Sequence, residues 1–108
     1  MVRKTGARIV LVTCGSREEA RRIARFAVQA RLAACVNLVS VPLESIYRWK
    51  GKVETAKEFL LVMKSSEGRL ARLEREVKRI HSYDLPEFLV LDITGGSQAY
   101  LKWLLGAV

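Results

Sequence analysis

The chain has 108 residues, half of them hydrophobic, and a formal net charge of +8. This length and composition fit one globular domain, residues 1–108, and are not typical of disordered proteins. No apolar run approaches the ~20 residues of a membrane-spanning helix, and the run Ile9–Val12 is too short for a secretory signal. We therefore expect a cytoplasmic protein with no membrane partner.

The positive charge is spread along the chain rather than gathered into one basic segment. In both predicted helices the basic residues alternate with acidic ones, as around Glu18 and Glu74. The sequence has no zinc-finger spacing and no aromatic RNA-binding motif, so we do not expect a nucleic-acid partner. Neither Cys14 nor Cys35 belongs to a CxxC pair, and we expect both to be reduced thiols.

The first predicted elements are a strand and a helix. The apolar run Arg8–Thr13 predicts a central strand that is buried on both faces. Ser16 and Glu19 have the spacing of a capping box, in which the serine accepts from the backbone and the glutamate reaches back to the cap. The helix that follows is predicted to end near Arg31, and its apolar stripe consists of Ala20, Ile23, Ala24, Ala27 and Val28.

The longest predicted feature is a β-hairpin within residues 33–64. Its two apolar arms flank a turn at Trp49-Lys50-Gly51-Lys52, and each is about twice the usual strand length of ~5–6 residues. Pro42 interrupts the first arm and predicts either a sheet edge or a bulge at that point, because proline has no N–H to donate to a ladder. Counting outward from the turn places Cys35 close to Lys64. Apolar arms of this length need cover, which we expect another subunit to provide.

A second helix, a strand and a short C-terminal helix complete the pattern. The second helix is predicted to begin at Ser65 and to stop at His81, before Pro86. Phe88–Ile93 is the fourth predicted strand. Gly95 and Gly96 break that strand, and Ser97 is expected to cap the last helix.

This order of elements is β-α-β-β-α-β, the ferredoxin-like class of α+β folds. Right-handed crossovers place the two main helices on one face of a four-stranded antiparallel sheet, with the extended hairpin between the second and third strands. The other sheet face has no helix of the β-α-β-β-α-β unit to cover it. An open apolar face on so small a domain predicts assembly.

The residue types that could carry chemistry leave several interpretations open. A lysine near Cys35 would lower the pKa of its thiol, although free cysteine is usually just a small buried residue. His81 could be a metal ligand, or simply a cation that the helix dipole favours. Glu58, Lys64 or His81 could act as an acid or base in an enzyme, but the sequence indicates no reaction class.

Several segments together resemble one known family, the CutA family of divalent-ion tolerance proteins. The resemblance covers the chain from Ile9 to Leu105. Its residues are Arg31-Leu32-Ala33-Ala34-Cys35-Val36-Asn37, Ile46-Tyr47-x-Trp49-x-Gly51-x-Val53-Glu54, Glu58, Lys64, His81-x-Tyr83-x-x-Pro86-Glu87 and Tyr100-Leu101-x-Trp103-Leu104.

The resemblance implies a ferredoxin-like homotrimer without established enzymatic activity, whose hairpins reach neighbouring subunits. The implied trimer architecture is similar to that of P-II-type signalling proteins. The resemblance also implies an association with Cu(II) or another divalent cation, and no organic cofactor is predicted. The metal ligands carried over from the family are His81, Cys35 and Glu87. An intersubunit cleft would be lined by Tyr47, Trp49, Glu58, Lys64, Tyr83 and Glu87.

One segment departs from the family pattern. The family usually has proline after the histidine and often glutamate after the tyrosine, whereas this chain has Ser82 and Asp84. The orientation of His81 is therefore less constrained than in other members.

The sequence and the resemblance favour two competing functions. The first is a homotrimeric, non-enzymatic metal-response protein that binds Cu(II) or a related ion weakly. The second is a P-II-like sensor of small molecules, in which Lys64 would bind an anionic ligand and the aromatic side chains would stack on a ring.

Overall fold

The elements follow the predicted order, with one additional short strand near each end of the chain. The computed structural model describes residues 2–3 and 5–108, so Met1 and Lys4 of the predicted 1–108 domain lie outside the described residues. The elements are β1 (Val2–Arg3), β2 (Ala7–Cys14), α1 (Arg17–Gln29), β3 (Cys35–Trp49), β4 (Lys52–Ser66), a 3-10 turn (Glu67–Arg69), α2 (Leu70–Ile80), β5 (Leu89–Asp92), β6 (Gly95–Gly96) and α3 (Gln98–Gly106).

Four strands form one antiparallel sheet in the order β3-β4-β2-β5, with α1 and α2 on one face. Alternate side chains of the central strands point to these helices, because successive residues of a strand face opposite ways. Val10 and Met63 of the sheet are fully buried with Ile23 of α1 and Leu73 of α2. This arrangement confirms the predicted ferredoxin-like fold.

The second face of the sheet is covered at only one end. Leu101 and Leu104 of α3 pack on Ala7, a packing that the sequence analysis did not anticipate. Further along this face, Leu89 and Leu91 flank β2 and remain 56% and 47% exposed. These two exposed leucines belong to the open apolar sheet face that the sequence predicted.

The hairpin has the predicted turn and the predicted bulge. Lys50 and Gly51 both have positive φ, 50° and 79°, as a two-residue type I′ turn requires. The register shifts between Val39 and Leu43, so that three residues of β3, including Pro42, oppose the single Phe59 of β4. The shift amounts to two residues and therefore preserves which face each side chain occupies.

Two local predictions were wrong, and tertiary pairing explains both. Ser65 does not begin the second helix. It pairs with Arg8 at the end of β4, and its buried hydroxyl donates to the carbonyl of Leu32. Ser16 caps α1 through the backbone N–H of Glu19, as predicted, but the Glu19 carboxylate turns away to accept from Ser82.

The ends of the chain are joined by a small sheet that the sequence analysis missed. β1 pairs with β6, so Gly95 and Gly96 do not simply break the strand before them. The Thr5 hydroxyl also donates to the carbonyl of Ile93. No helix in the described part of the chain is both long and apolar enough to cross a bilayer.

We expect Gly51→Ala to lower the free energy of unfolding by about 1 kcal/mol, because a Cβ is strained at positive φ. Gly68→Ala is the matched control, since a Cβ there meets nothing within 4 Å and the φ is ordinary. Urea unfolding of both variants measures the difference. Equal losses in the two variants would show that the turn conformation does not limit stability.

Candidate functional site

A cavity of about 610 Å³ lies between the outer half of the hairpin and the loop after α2. The bulge separates this outer half from the part of the hairpin that belongs to the main core. The residues that line the cavity are Thr13, Ser45, Ile46, Tyr47, Trp49, Glu58, Tyr83, Asp84, Leu85 and Glu87. Its volume falls within the range of roughly 300–1,000 Å³ that is usual for small-molecule sites.

Tyr83 is held in the cavity wall by a hydrogen bond to Glu58. Its hydroxyl donates to Glu58 Oε2 at 3.0 Å. Burial is the largest cause, and this hydrogen bond the next, of the raised pKa of Tyr83. Gly15 makes room for the ring, because a Cβ at that position would lie 3.1 Å from the Tyr83 hydroxyl. Tyr83 is therefore a neutral hydrogen-bond donor at every physiological pH.

Glu87 faces the same cavity and is partly buried. Burial, and then the nearby carboxylate of Glu58, raise the pKa of Glu87 above its ordinary 4.5. Asp84 adds a third carboxyl group, whereas no lysine, arginine or histidine side chain of residues 5–108 lines this cavity. In a chain of net charge +8 the cavity is thus locally acidic.

A second group of polar side chains is buried beside the cavity. One ligand atom each from Cys14, Glu19 and His81 lie within 4.8 Å of one another, at the point where β2 ends, α1 begins and α2 ends. His81 Nε2 is 2.8 Å from the carbonyl oxygen of Thr13, and its Nδ1 accepts from the backbone N–H of Tyr83 at 3.0 Å. We refer to Cys14, Glu19 and His81 as the buried cluster.

The hydrogen bonds of the buried cluster define its protonation. Because Nδ1 of His81 accepts, its proton sits on Nε2 and is donated to Thr13, so the imidazole is neutral. Glu19 accepts from the backbone N–H and the hydroxyl of Ser82 at 2.7 and 3.0 Å. Burial, and then the carboxylates of Glu19 and Glu58, raise the pKa of the Cys14 thiol to about 12.

The structure brings most of the predicted cleft residues together within one chain. Tyr47, Trp49, Glu58, Tyr83 and Glu87 all line the cavity. Lys64 does not, because it lies at the opposite end of the hairpin, where its ammonium donates to Asn37. Within one chain the cavity therefore lacks the cation that was expected to bind an anionic ligand.

The predicted metal ligands are not adjacent within one chain. Cys35 pairs with Lys64, which pairs with Ile9, whereas His81 contacts Thr13. Ile9 and Thr13 are about 14 Å apart along β2, at ~3.4 Å per residue. Cys35 instead lies 3.8 Å from the hydroxyl of Tyr100.

Sequence reasoning missed Cys14 and Glu19 as partners of His81. The sequence predicts only that Cys14 is a reduced thiol, and it assigns Glu19 to the capping box. The signal was weak, because three separate elements must meet before these side chains become neighbours. Five further residues of the cavity wall were not predicted to line a cleft: Thr13, Ser45, Ile46, Asp84 and Leu85.

Comparison with known proteins identifies the family. The family model for the CutA1 divalent ion tolerance protein matches residues 8–106. The chain belongs to the CutA1 family. It is 46% identical over 96 residues to the divalent-cation tolerance protein CutA of Thermus thermophilus, and the aligned residues make up 89% of this chain and 92% of that protein. The solved CutA1 structure from Thermus thermophilus has a TM-score of 0.91 at 44% identity, covering 94% of this chain and 97% of that one.

Other members of the family differ in length and in the compartment that their names give. The chain is 46% identical over 96 residues to the chloroplastic CutA of Arabidopsis thaliana. The aligned residues make up 89% of this chain but 52% of that protein. The chain thus spans about half the length of this plant relative. A solved structure named periplasmic CutA, from Archaeoglobus fulgidus, has a TM-score of 0.86 at 37% identity, covering 91% and 94% of the two chains. The cytoplasmic location stays a prediction.

We expect Glu87→Gln to raise the melting temperature at pH 7 by a few degrees or less. The pKa of Glu87 is raised in the folded state, so its ionised form destabilises the fold above pH 4.5 and the neutral form does not. The gain should shrink as the pH falls toward about 4, where the wild-type carboxyl is protonated in both states. Solvent screening of this partly exposed group keeps the effect small.

Thermal unfolding followed by circular dichroism at both pH values measures the change. Glu74→Gln is the matched control, because Glu74 lies on the surface of α2 and pairs with Lys78 at 3.0 Å. A gain from Glu87→Gln that is equally large at pH 4 would contradict the electrostatic cause.

Proposed function

We propose that this CutA1 family member serves divalent-cation tolerance as a non-enzymatic homotrimer that binds Cu(II) or another divalent cation weakly. The buried cluster is the observation that carries the proposal. It combines a thiol, a carboxylate and an imidazole, a mixed donor set that suits zinc and copper. The relatives named as divalent-cation tolerance proteins support the same role.

The hydrogen bonds within the buried cluster account for weak binding. Nδ1 of His81 has the only ring lone pair that could bind a cation, since Nε2 carries the proton, and this lone pair already accepts from the backbone N–H of Tyr83. A cation must therefore displace the Tyr83 N–H and leave that partly buried donor without a protein partner, which costs up to about 1–3 kcal/mol. Glu19 similarly gives up contacts with Ser82 if its oxygens turn to a cation.

The uncovered apolar surfaces support assembly into a trimer. Beyond Leu89 and Leu91 on the sheet face, the outer hairpin exposes further large apolar side chains: Val41, Ile46, Tyr47, Trp49 and Val53. Exposed apolar patches of this kind on a small domain typically become subunit interfaces. A second copy offers a surface of the same composition, and the family resemblance supplies the number of copies.

The metal ligands predicted from the family offer an alternative arrangement. A set of His81, Cys35 and Glu87 would need Cys35 from a neighbouring copy, because Cys35 of the same chain lies at the far end of the sheet. The buried cluster needs no second copy. The two arrangements therefore predict different roles for Cys14 and Cys35.

Calorimetric titration with Cu(II) tests the proposal and separates the two arrangements. We expect His81→Ala and Cys14→Ser to weaken Cu(II) binding at least ten-fold, while Cys35→Ser leaves it unchanged, since a lost ligand costs more than ~1.4 kcal/mol. Glu74→Gln serves as the surface control. Weakening by Cys35→Ser but not by Cys14→Ser would indicate the shared site. Unchanged affinity in all three ligand variants would contradict metal binding at either site.

A second candidate function is a P-II-like sensor of small molecules with ligand sites in the intersubunit clefts. The cavity favours it, because its volume and its aromatic walls are typical of ligand pockets. The outer hairpin that forms one wall is also the part expected to contact a neighbour. In this candidate, the cavity of one chain would be completed by another copy.

A further inference from the structure

We infer that the cavity beside Glu58 and Glu87 takes an organic cation, a guanidinium or ammonium group carried on an apolar stem. The inference deepens the sensor candidate and rests on it, because it names the chemical class of the ligand. It assigns to the cavity a ligand of the opposite charge to the one that Lys64 suggested from the sequence.

The charge of the cavity sets the sign of the ligand. Glu58, Asp84 and Glu87 line it, and no cationic side chain of residues 5–108 lines it with them. Glu87 has no ion-pair partner among the described residues, and burial, followed by the nearby carboxylate of Glu58, raises its pKa. A cation placed between Glu58 and Glu87 would relieve this repulsion, whereas an anion would add to it.

The walls of the cavity favour an organic cation over a bare ion. Three aromatic side chains line the cavity, Tyr47, Trp49 and Tyr83, and the faces of aromatic rings attract guanidinium and ammonium groups. Ile46 and Leu85 supply apolar surface against which a methylene stem can pack. The volume of about 610 Å³ exceeds what a single metal ion needs.

The spacing of the carboxylates also argues against a metal ion in this cavity. Among the described residues, the buried cluster alone brings three potential ligand atoms within 4.8 Å of one another. Glu58, Asp84 and Glu87 do not meet that condition. Tyr83 donates to Oε2 of Glu58, and Oε1 has no hydrogen-bond donor among the described residues, so it can accept from a guanidinium or ammonium N–H.

The cation could come from either of two sources. It could be a free small molecule, or it could be a lysine or arginine side chain of a second copy of the chain. The hairpin tip carries three exposed cations, Arg48, Lys50 and Lys52, close to the surface expected to contact a neighbour. Both sources present the same chemistry to the carboxylates, so the experiment must tell them apart.

The test is calorimetric titration of the full chain with agmatine, which carries a guanidinium and an ammonium on a four-carbon stem. Glutarate, a dianion of similar length, is the matched probe. We expect agmatine to bind and glutarate not to bind. Glu58→Gln and Glu87→Gln should each weaken agmatine binding about ten-fold or more, as the loss of a charge-assisted hydrogen bond predicts. Glu74→Gln should not change it.

Sedimentation of the same variants separates the two sources. If a basic side chain of a second copy fills the cavity, agmatine fails to bind the wild type, and Glu58→Gln and Glu87→Gln each weaken subunit association about ten-fold. Glutamine at position 58 can still accept from Tyr83, so this variant is expected to keep the wall of the cavity.

The inference is overturned if agmatine does not bind and the association of the subunits is unchanged in both variants. It is also overturned if glutarate binds instead, although the sensor candidate would then survive with an anionic ligand. Titration of Glu58→Gln with Cu(II) tests the metal proposal separately. If this variant loses agmatine binding but keeps Cu(II) binding, the substitution has affected the cavity and not the buried cluster.

Discussion

The ladder between β3 and β4 is the interaction on which the rest of the structure depends. Each strand has 15 residues, far more than a four-stranded sheet of this size needs. The inner half supplies Leu61 and Met63 to the core, and the outer half supplies Tyr47 and Trp49 to the cavity. The bulge around Pro42 divides these two roles, and because it adds two residues, the faces of the hairpin stay in phase across it.

The loop after α2 connects the hairpin to the buried cluster. Tyr83 donates its backbone N–H to His81 and its hydroxyl to Glu58, so a single residue joins the cluster to the cavity. Ser82 anchors the same loop to Glu19 through two hydrogen bonds. The serine that departs from the usual proline of the family is thus tied down by its own N–H and hydroxyl, and proline could supply neither donor.

Hydrophobic periodicity was sufficient to predict the order of the elements between β2 and α3, apart from the short β6, and turn chemistry was sufficient to predict the hairpin. Lys50 and Gly51 indicated the position of the turn. Pro42 indicated the irregularity in β3, because proline has no N–H to donate to the strand ladder. The start of α2 was mispredicted because Ser65 and Ser66 have the local chemistry of a cap. Their pairing with Ala7 and Arg8 of β2 extends the strand instead, a non-local interaction that spacing does not reveal.

Five cavity residues were found through the family resemblance, since all five lie in its quoted motifs. Lys64 lies in the same pattern but is held at the far end of the hairpin by strand pairing. Cys14 and Glu19 were missed because their role arises only where β2, α1 and α2 converge.

The central claim is that copies of the same chain cover the open sheet face and the outer hairpin. Sedimentation equilibrium of the full chain tests it most directly: the account predicts three times the mass of one chain, and a monomer would contradict it.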